Sequence, residues 1–166
     1  MTQRQTCYIG VGANLNHPVQ QAQVAIDALK KLTNSRFIAA SPLYCSKPLG
    51  PTDQPDYINA VVAIETAMDP EGLLNALQSI EQQQGRQRKD ERWGPRTLDL
   101  DILLFGNQTI HTPRLTIPHY HMGEREFVLY PLADIAAELV LPDGTPLQTL
   151  LSQCPRNGLH QLEHSA

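Results

Sequence analysis

With 166 residues the chain is long enough to bury most of its apolar surface in one domain without covalent staples. Its 41% apolar content excludes a disordered chain, and thirteen basic against seventeen acidic residues, a net charge of −4, exclude a surface built wholly to coat nucleic acid. The three cysteines, Cys7, Cys45 and Cys154, form no CxxC pair, which excludes a zinc ribbon or a disulfide framework and leaves reduced thiols of a cytoplasmic protein as the expectation.

Thr6 to Val11 reads as a short buried strand, followed by a loop containing Gly10, Gly12, Asn14 and Asn16. Pro18 suits a first helical position, and Val19, Ala22, Ile26 and Leu29 recur at helical spacing, so the first helix runs to about Leu32. Arg36 to Leu43 reads as the second strand. Residues 46–56, with Pro48, Gly50, Pro51 and Pro55, form a long irregular loop of the kind that carries function. Tyr57 to Thr66 is the third strand, with Ile58, Ala60, Val62 and Ile64 on one face and Tyr57, Asn59, Val61 and Ala63 on the other.

Asp69-Pro70-Glu71 is a helix start, with a cap, a proline and an acid in the first turn. Leu73, Leu77, Ile80 and Gln84 line one side of that helix, and Gly85 fits its end. A polar loop follows from Arg86 to Arg96, and Thr97 to Phe105 alternates as a fourth strand. Gln108 to Ile117 reads as extended chain, a short helix starts near Glu124, and Pro146 to Leu151 is a last helical turn behind the turn Pro142-Asp143-Gly144-Thr145. The polar tail beyond it, with Cys154, His160 and His164, carries no further motif. The apolar stretch from Phe127 to Pro142 is broken by Pro131, Asp134 and Glu138, so no membrane span is expected, and the N-terminus shows no apolar signal core.

The order strand, helix, strand, strand, helix, strand, then an appendix, predicts an α+β sandwich of the ferredoxin-like βαββαβ type. An antiparallel sheet would carry helices packed on it and a C-terminal extension, with 1–166 as a single domain. Many functions share that arrangement, so chemistry has to come from particular side chains.

The densest chemistry lies in Arg86 to Asp101. Five basic residues (Arg86, Arg88, Lys89, Arg92, Arg96) and two acidic ones share its first eleven positions. Asp99 and Asp101 follow on a strand, where positions two apart share a face about 7 Å from each other. Two carboxylates so placed repel unless a cation joins them, and such hard oxygen donors suit magnesium, which completes its shell with water and substrate phosphates. A solvated strand face is the plain alternative. Aspartate is depleted in strands, and the arginine-rich loop alongside favours the metal. Trp93, the single tryptophan, sits in that polar loop, where a lid over a nucleotide needs cations for phosphates and a flat apolar group to exclude water.

Gly10-Val11-Gly12 ahead of a helix suggests a phosphate-binding turn, but the third glycine of a dinucleotide fingerprint is replaced by Leu15, and there is no Walker sequence. His119 and His121 lack a third zinc ligand nearby, and a phosphate-facing His119 beside Arg114 is the better reading. Tyr57 and Asn59 share a strand face, as suits a pocket for a flat heterocycle: the ring stacks and the carboxamide reads the polar edge.

The run Arg92-Trp93-Gly94-Pro95-Arg96-Thr97-Leu98-Asp99-Leu100-Asp101-Ile102-Leu103 resembles the signature of the 6-hydroxymethyl-7,8-dihydropterin pyrophosphokinases of folate synthesis. So do Gly50-Pro51-x-x-Gln54-Pro55-x-Tyr57-x-Asn59, Glu81-x-Gln83-Gln84-Gly85-Arg86 and Pro118-His119, and the likeness runs from Tyr8 to about Gly144. The resemblance implies transfer of pyrophosphate from ATP to the hydroxymethyl group of the dihydropterin, with release of AMP. It implies two magnesium ions on Asp99 and Asp101, with Arg86 and Arg96 as catalytic arginines. Tyr57 and Phe127 would sandwich the pterin, with Asn59 reading its edge and Ser46, Leu49 and Trp93 beside it. Gln78, Glu81, Arg88, Lys89, Trp93, Arg96, Ile102, Arg114, Thr116, His119, Tyr120 and Arg125 would surround ATP. Ala13 stands where the family usually has serine, a position that contributes backbone and shape.

Three other functions fit parts of this pattern. An RNA-binding module would need more exposed aromatics than 5% of residues and a less acidic chain. A magnesium-dependent nucleotidyltransferase would release pyrophosphate in place of AMP. A ligand sensor would have no need of both aspartates and all the arginines. Neither nucleic acid nor membrane is expected as a partner, and a monomer is the default expectation.

Overall fold

The computed structural model describes residues 4–13, 18–46, 57–83, 98–118, 125–156 and 159–162. Strand β1 (Gln5–Ala13) lies inside the sheet, paired antiparallel with β4 (Tyr57–Thr66) on one side and β5 (Asp99–Phe105) on the other. The larger sheet runs β5, β1, β4, β3 (Tyr44–Ser46), β8 (His160–Gln161), and β2 (Ser35–Ala40) also pairs with β4. A hairpin of β6 (Ile110–His111) and β7 (Thr116–Ile117) forms a second, two-stranded sheet.

Alternation decides which side of the sheet each residue faces. Cys7, Ile9, Val11 and Ala13 of β1, Ile58, Ala60, Val62 and Ile64 of β4, and Leu98, Leu100 and Ile102 in and before β5 all join one hydrophobic cluster. Helices α1 (Pro18–Lys30) and α2 (Pro70–Gln83) complete it with Ala22, Ala25 and Leu29 and with Leu73, Leu77 and Ile80. The Asp69 cap of α2 is realised: its Oδ1 accepts the Gly72 N–H at 2.7 Å. The opposite face is covered over part of its length by α3 (Glu126–Ile135) and α4 (Leu147–Ser152). There Val61, Leu103, Leu104, Val128, Leu129 and Leu132 form a second cluster.

Four local features depart from the sequence reading. The predicted second strand is two, β2 and β3, because Ser41 interrupts the ladder: its hydroxyl accepts the Val61 N–H at 2.9 Å and donates to the Pro42 carbonyl at 2.8 Å. The fourth strand does not alternate throughout. Its register with β1 shifts between Tyr8 and Ile9, so Leu103 and Leu104 both turn to the second cluster. Gly10 and Gly12 lie within β1, not in a turn, since both are paired on each side. The polar tail includes β8, which pairs with β3 through Tyr44↔Gln161 and Cys45↔His160.

Tyr44 fastens β3 to α3, its hydroxyl donating to the Asp134 carboxylate. Burial, then that bond and the carboxylate's charge, push the phenol from 10 up to about 12. Between those values the unfolded chain loses this proton while the folded one keeps it, so the bond's contribution is intact below pH 10 and falls away as pH rises towards 12. Denaturation curves from pH 9 to 11.5 should therefore show a shallower alkaline loss of stability for Tyr44→Phe than for wild type. Equal slopes would place the linkage on other groups, such as the buried Cys7 thiol, which burial also raises to about 12.

Candidate active site

Beside α3 and α4, the second sheet face lines a cavity of about 240 Å³. Its floor is the central strand: Gly10 stands between Val61 and Asp101 in the register, and Gly12 between Asn59 and Asp99. No side chain rises from either glycine, which leaves the concavity open. A Cβ at Gly12 would lie 3.5 Å from Asn59 Oδ1, and one at Gly10 would lie 3.4 Å from Leu103 Cδ2. On one side stand Asp99 and Asp101, on the other Tyr57 and Asn59, and α3 supplies Phe127 and Val128, with Arg125 just before it.

Six residues named from sequence thus meet at one cavity: Asp99 and Asp101 from β5, Tyr57 and Asn59 from β4, and Arg125 and Phe127 at the start of α3. Asn59 is buried, Asp99 half-buried and Asp101 exposed. The Arg125 guanidinium lies 5.5 Å from the Phe127 ring centroid, a cation–π arrangement that holds a positive charge among the residues lining the cavity. Among the described residues no group of three or more His, Cys, Asp or Glu could hold a metal ion. Two carboxylates without further protein ligands form the donor set magnesium accepts when phosphates and water supply the rest, so the residues present fit that ion.

A second group gathers on α2 and the hairpin. Arg114, in the hairpin turn, donates to Glu71 Oε1 at 2.7 Å, Asn75 Oδ1 at 2.8 Å and Gln78 Oε1 at 3.4 Å. Thr116 lies on β7 two residues beyond it. The Ile102 side chain is buried in the first cluster, so only its backbone can face a ligand. Glu81 is 5% exposed and sits in the last turn of α2, where its Oε2 accepts the Leu100 N–H at 2.7 Å. Ser46 ends β3, paired through its backbone with Tyr57. Leu49, Arg86, Arg88, Lys89, Trp93, Arg96, His119 and Tyr120 lie outside the described residues.

The sequence reading missed the part played by Gly10 and Gly12, although a signal was present. In Cys7-Tyr8-Ile9-Gly10-Val11-Gly12-Ala13 every second residue is apolar, the period of a strand, and the glycines fall on the face opposite those residues.

The family model described as 7,8-dihydro-6-hydroxymethylpterin-pyrophosphokinase (HPPK) matches residues 8–137. A 2-amino-4-hydroxy-6-hydroxymethyldihydropteridine pyrophosphokinase of Pseudomonas aeruginosa is 56% identical over 158 residues, covering 95% of this chain and 97% of that protein. The protein of the same name from Haemophilus influenzae is 55% identical over 148 residues, 89% of this chain and 92% of its own length. In fold, the chain is similar to a crystal structure of HPPK-DHPS in complex with substrates (TM-score 0.72, 16% identity, 92% of this chain, 43% of that one). A Plasmodium falciparum HPPK-DHPS A437G crystal structure with SDX-DHP gives a TM-score of 0.73 at 15% identity, covering 92% of this chain and 46% of that one. The chain spans less than half the length of those structural neighbours.

Proposed function

The chain belongs to the 7,8-dihydro-6-hydroxymethylpterin-pyrophosphokinase family and transfers pyrophosphate in folate biosynthesis, and we propose that its donor is ATP and that the cavity between β4, β5 and α3 is where transfer occurs. One observation carries the placement: a carboxylate pair and an aromatic–carboxamide pair face each other across a glycine floor.

In this reading Tyr57 and Phe127 hold the pterin ring between them, and the buried Asn59 pairs with its polar edge. The hydroxymethyl oxygen is thereby directed towards β5. Asp99 and Asp101 would hold two magnesium ions, which when bound neutralise and align the triphosphate oxygens. The alcohol oxygen attacks the middle phosphorus, the bond from that phosphorus to the AMP oxygen breaks, and the alcohol's proton passes to solvent or a nearby base. Arg86 and Arg96 would balance the charge spread over the transferring group, and Trp93 would help to exclude water. Gln78, Glu81, Arg88, Lys89, Ile102, Arg114, Thr116, His119, Tyr120 and Arg125 complete the proposed nucleotide surroundings.

The strand order β5, β1, β4, with β2 and β3 both laid against β4, supports a ferredoxin-like topology whose second strand is divided. The three cysteines are free thiols, which supports a reading as a cytoplasmic enzyme. No helix among the described residues is long and apolar enough to cross a membrane. The described lining residues meet within a single chain and need no second copy, and a monomer is the proposed state.

Product analysis with ATP, magnesium and 6-hydroxymethyl-7,8-dihydropterin tests the proposal. AMP and a pyrophosphorylated pterin should appear in equal amounts. Pyrophosphate release with AMP transfer would instead identify a nucleotidyltransferase.

A further inference from the structure

We propose that Glu81 is a positioning residue for the carboxylate pair, acting through the backbone of Leu100; this rests on the reading that Asp99 and Asp101 hold the metal. Among the described residues strand β5 ends the sheet, with β1 on one edge and no partner strand on the other. Along an antiparallel pair, successive residues direct their N–H and C=O groups to opposite edges. The Leu100 N–H is donated to Glu81 Oε2 at 2.7 Å and so points away from β1. Its neighbours Asp99 and Asp101 then direct their backbone groups to Gly12 and Gly10, their partners in the register.

Asp99 and Asp101 occupy the first and third positions of β5, where a strand is least supported, and their like charges push against each other. The residue between them is the one place where a single clamp holds both. Glu81 supplies it from α2, a separate element anchored in the core by Leu73, Leu77 and Ile80. The acceptor is a side-chain oxygen held on a packed helix, and burial keeps water from replacing it. The side chain of Leu100 is itself buried, so the peptide is held from both sides. Glu81 thus sets the separation and direction of two ligands without being one of them.

The test measures Mn²⁺ affinity of the full chain by electron paramagnetic resonance with α,β-methylene-ATP held at saturation for each variant, so that any change in nucleotide affinity is read separately, together with amide exchange at Leu100. Removing a group that orients a metal ligand typically lowers affinity about 10- to 100-fold, and Glu81→Leu should fall in that range with faster Leu100 exchange. Glu81→Gln keeps an acceptor oxygen and should recover most of the affinity and the protection together. The KM for pterin should stay within about twofold in both variants, because Tyr57, Asn59 and Phe127 do not belong to β5.

A folded Glu81→Leu that binds Mn²⁺ like wild type overturns the proposal. So does a Glu81→Gln that keeps Leu100 protected yet binds metal as weakly as Glu81→Leu, since the charge itself would then be needed. If Glu81→Leu does not fold, Glu81→Gln decides alone: affinity and Leu100 protection must stay or fall together, and a change in one without the other overturns the proposal. Asp101→Asn run alongside separates the two ideas. Unaltered Mn²⁺ affinity there would remove the metal reading itself, whereas loss in Asp101→Asn without loss in Glu81→Leu would remove only the role of Glu81.

Discussion

Asp101→Asn should reduce turnover about 10³-fold, the effect of losing roughly 4 kcal/mol of charge stabilisation in the transition state. The substitution keeps shape and removes one negative charge from the wall of the cavity. Asp101 is exposed and contributes nothing to either hydrophobic cluster, so the melting temperature should stay within a few degrees of wild type. Steady-state rates across a magnesium series, with circular dichroism of the same samples, check both halves. Wild-type turnover in a folded variant would remove Asp101 from the metal site. Asp99→Asn provides the companion measurement, and equal losses would show that the two carboxylates work as a unit.

Gly12→Val should lower kcat/KM for the pterin on the order of 10²-fold, since a displacement near 1 Å at a reacting centre has an effect of that size. The backbone has room for a Cβ, 3.5 Å from Asn59 Oδ1. The two further methyl groups have nowhere to go but the cavity, where they meet Asn59 and the space assigned to the pterin. Valine also suits a central strand better than glycine does, so stability should hold or rise by about 0.5–1 kcal/mol. Loss of activity in a protein at least as stable would show that the gap in side chains is kept for function. An unchanged KM for pterin in a folded Gly12→Val would place the substrate elsewhere.

Much of this was legible beforehand because strand faces follow a period of two. Tyr57 with Asn59, and Asp99 with Asp101, could be put on common faces from spacing alone, and the structure brings both pairs to one cavity. The Asp69 cap and Pro70 start of α2 were equally plain, since capping is local chemistry. What escaped was non-local. The bulge at Leu103–Leu104 depends on the register with β1, and the division of β2 from β3 depends on Ser41 meeting Val61, twenty residues away. Gly10 and Gly12 were misjudged because glycine before a helix suggests a turn, whereas only pairing on both edges shows an interior strand. Glu81 could be placed on a helix from sequence, but not against the Leu100 amide, because helix packing on a sheet sets that contact. The loop residues from Arg86 to Arg96 lie outside the described structure, and their roles rest on the family pattern.

Among the described residues two helices roof only part of the second sheet face, and a cavity lies beside them. On the proposed reading the substrates are building material during each turnover: the pterin ring would complete an interior that the described elements leave unfinished. A ligand present at a hundred times its dissociation constant adds about 2.7 kcal/mol to the stability of such a protein. Bare and loaded enzyme would then tolerate different burdens of mutation, and a cell rich in these substrates would carry variants that fail when supply runs low.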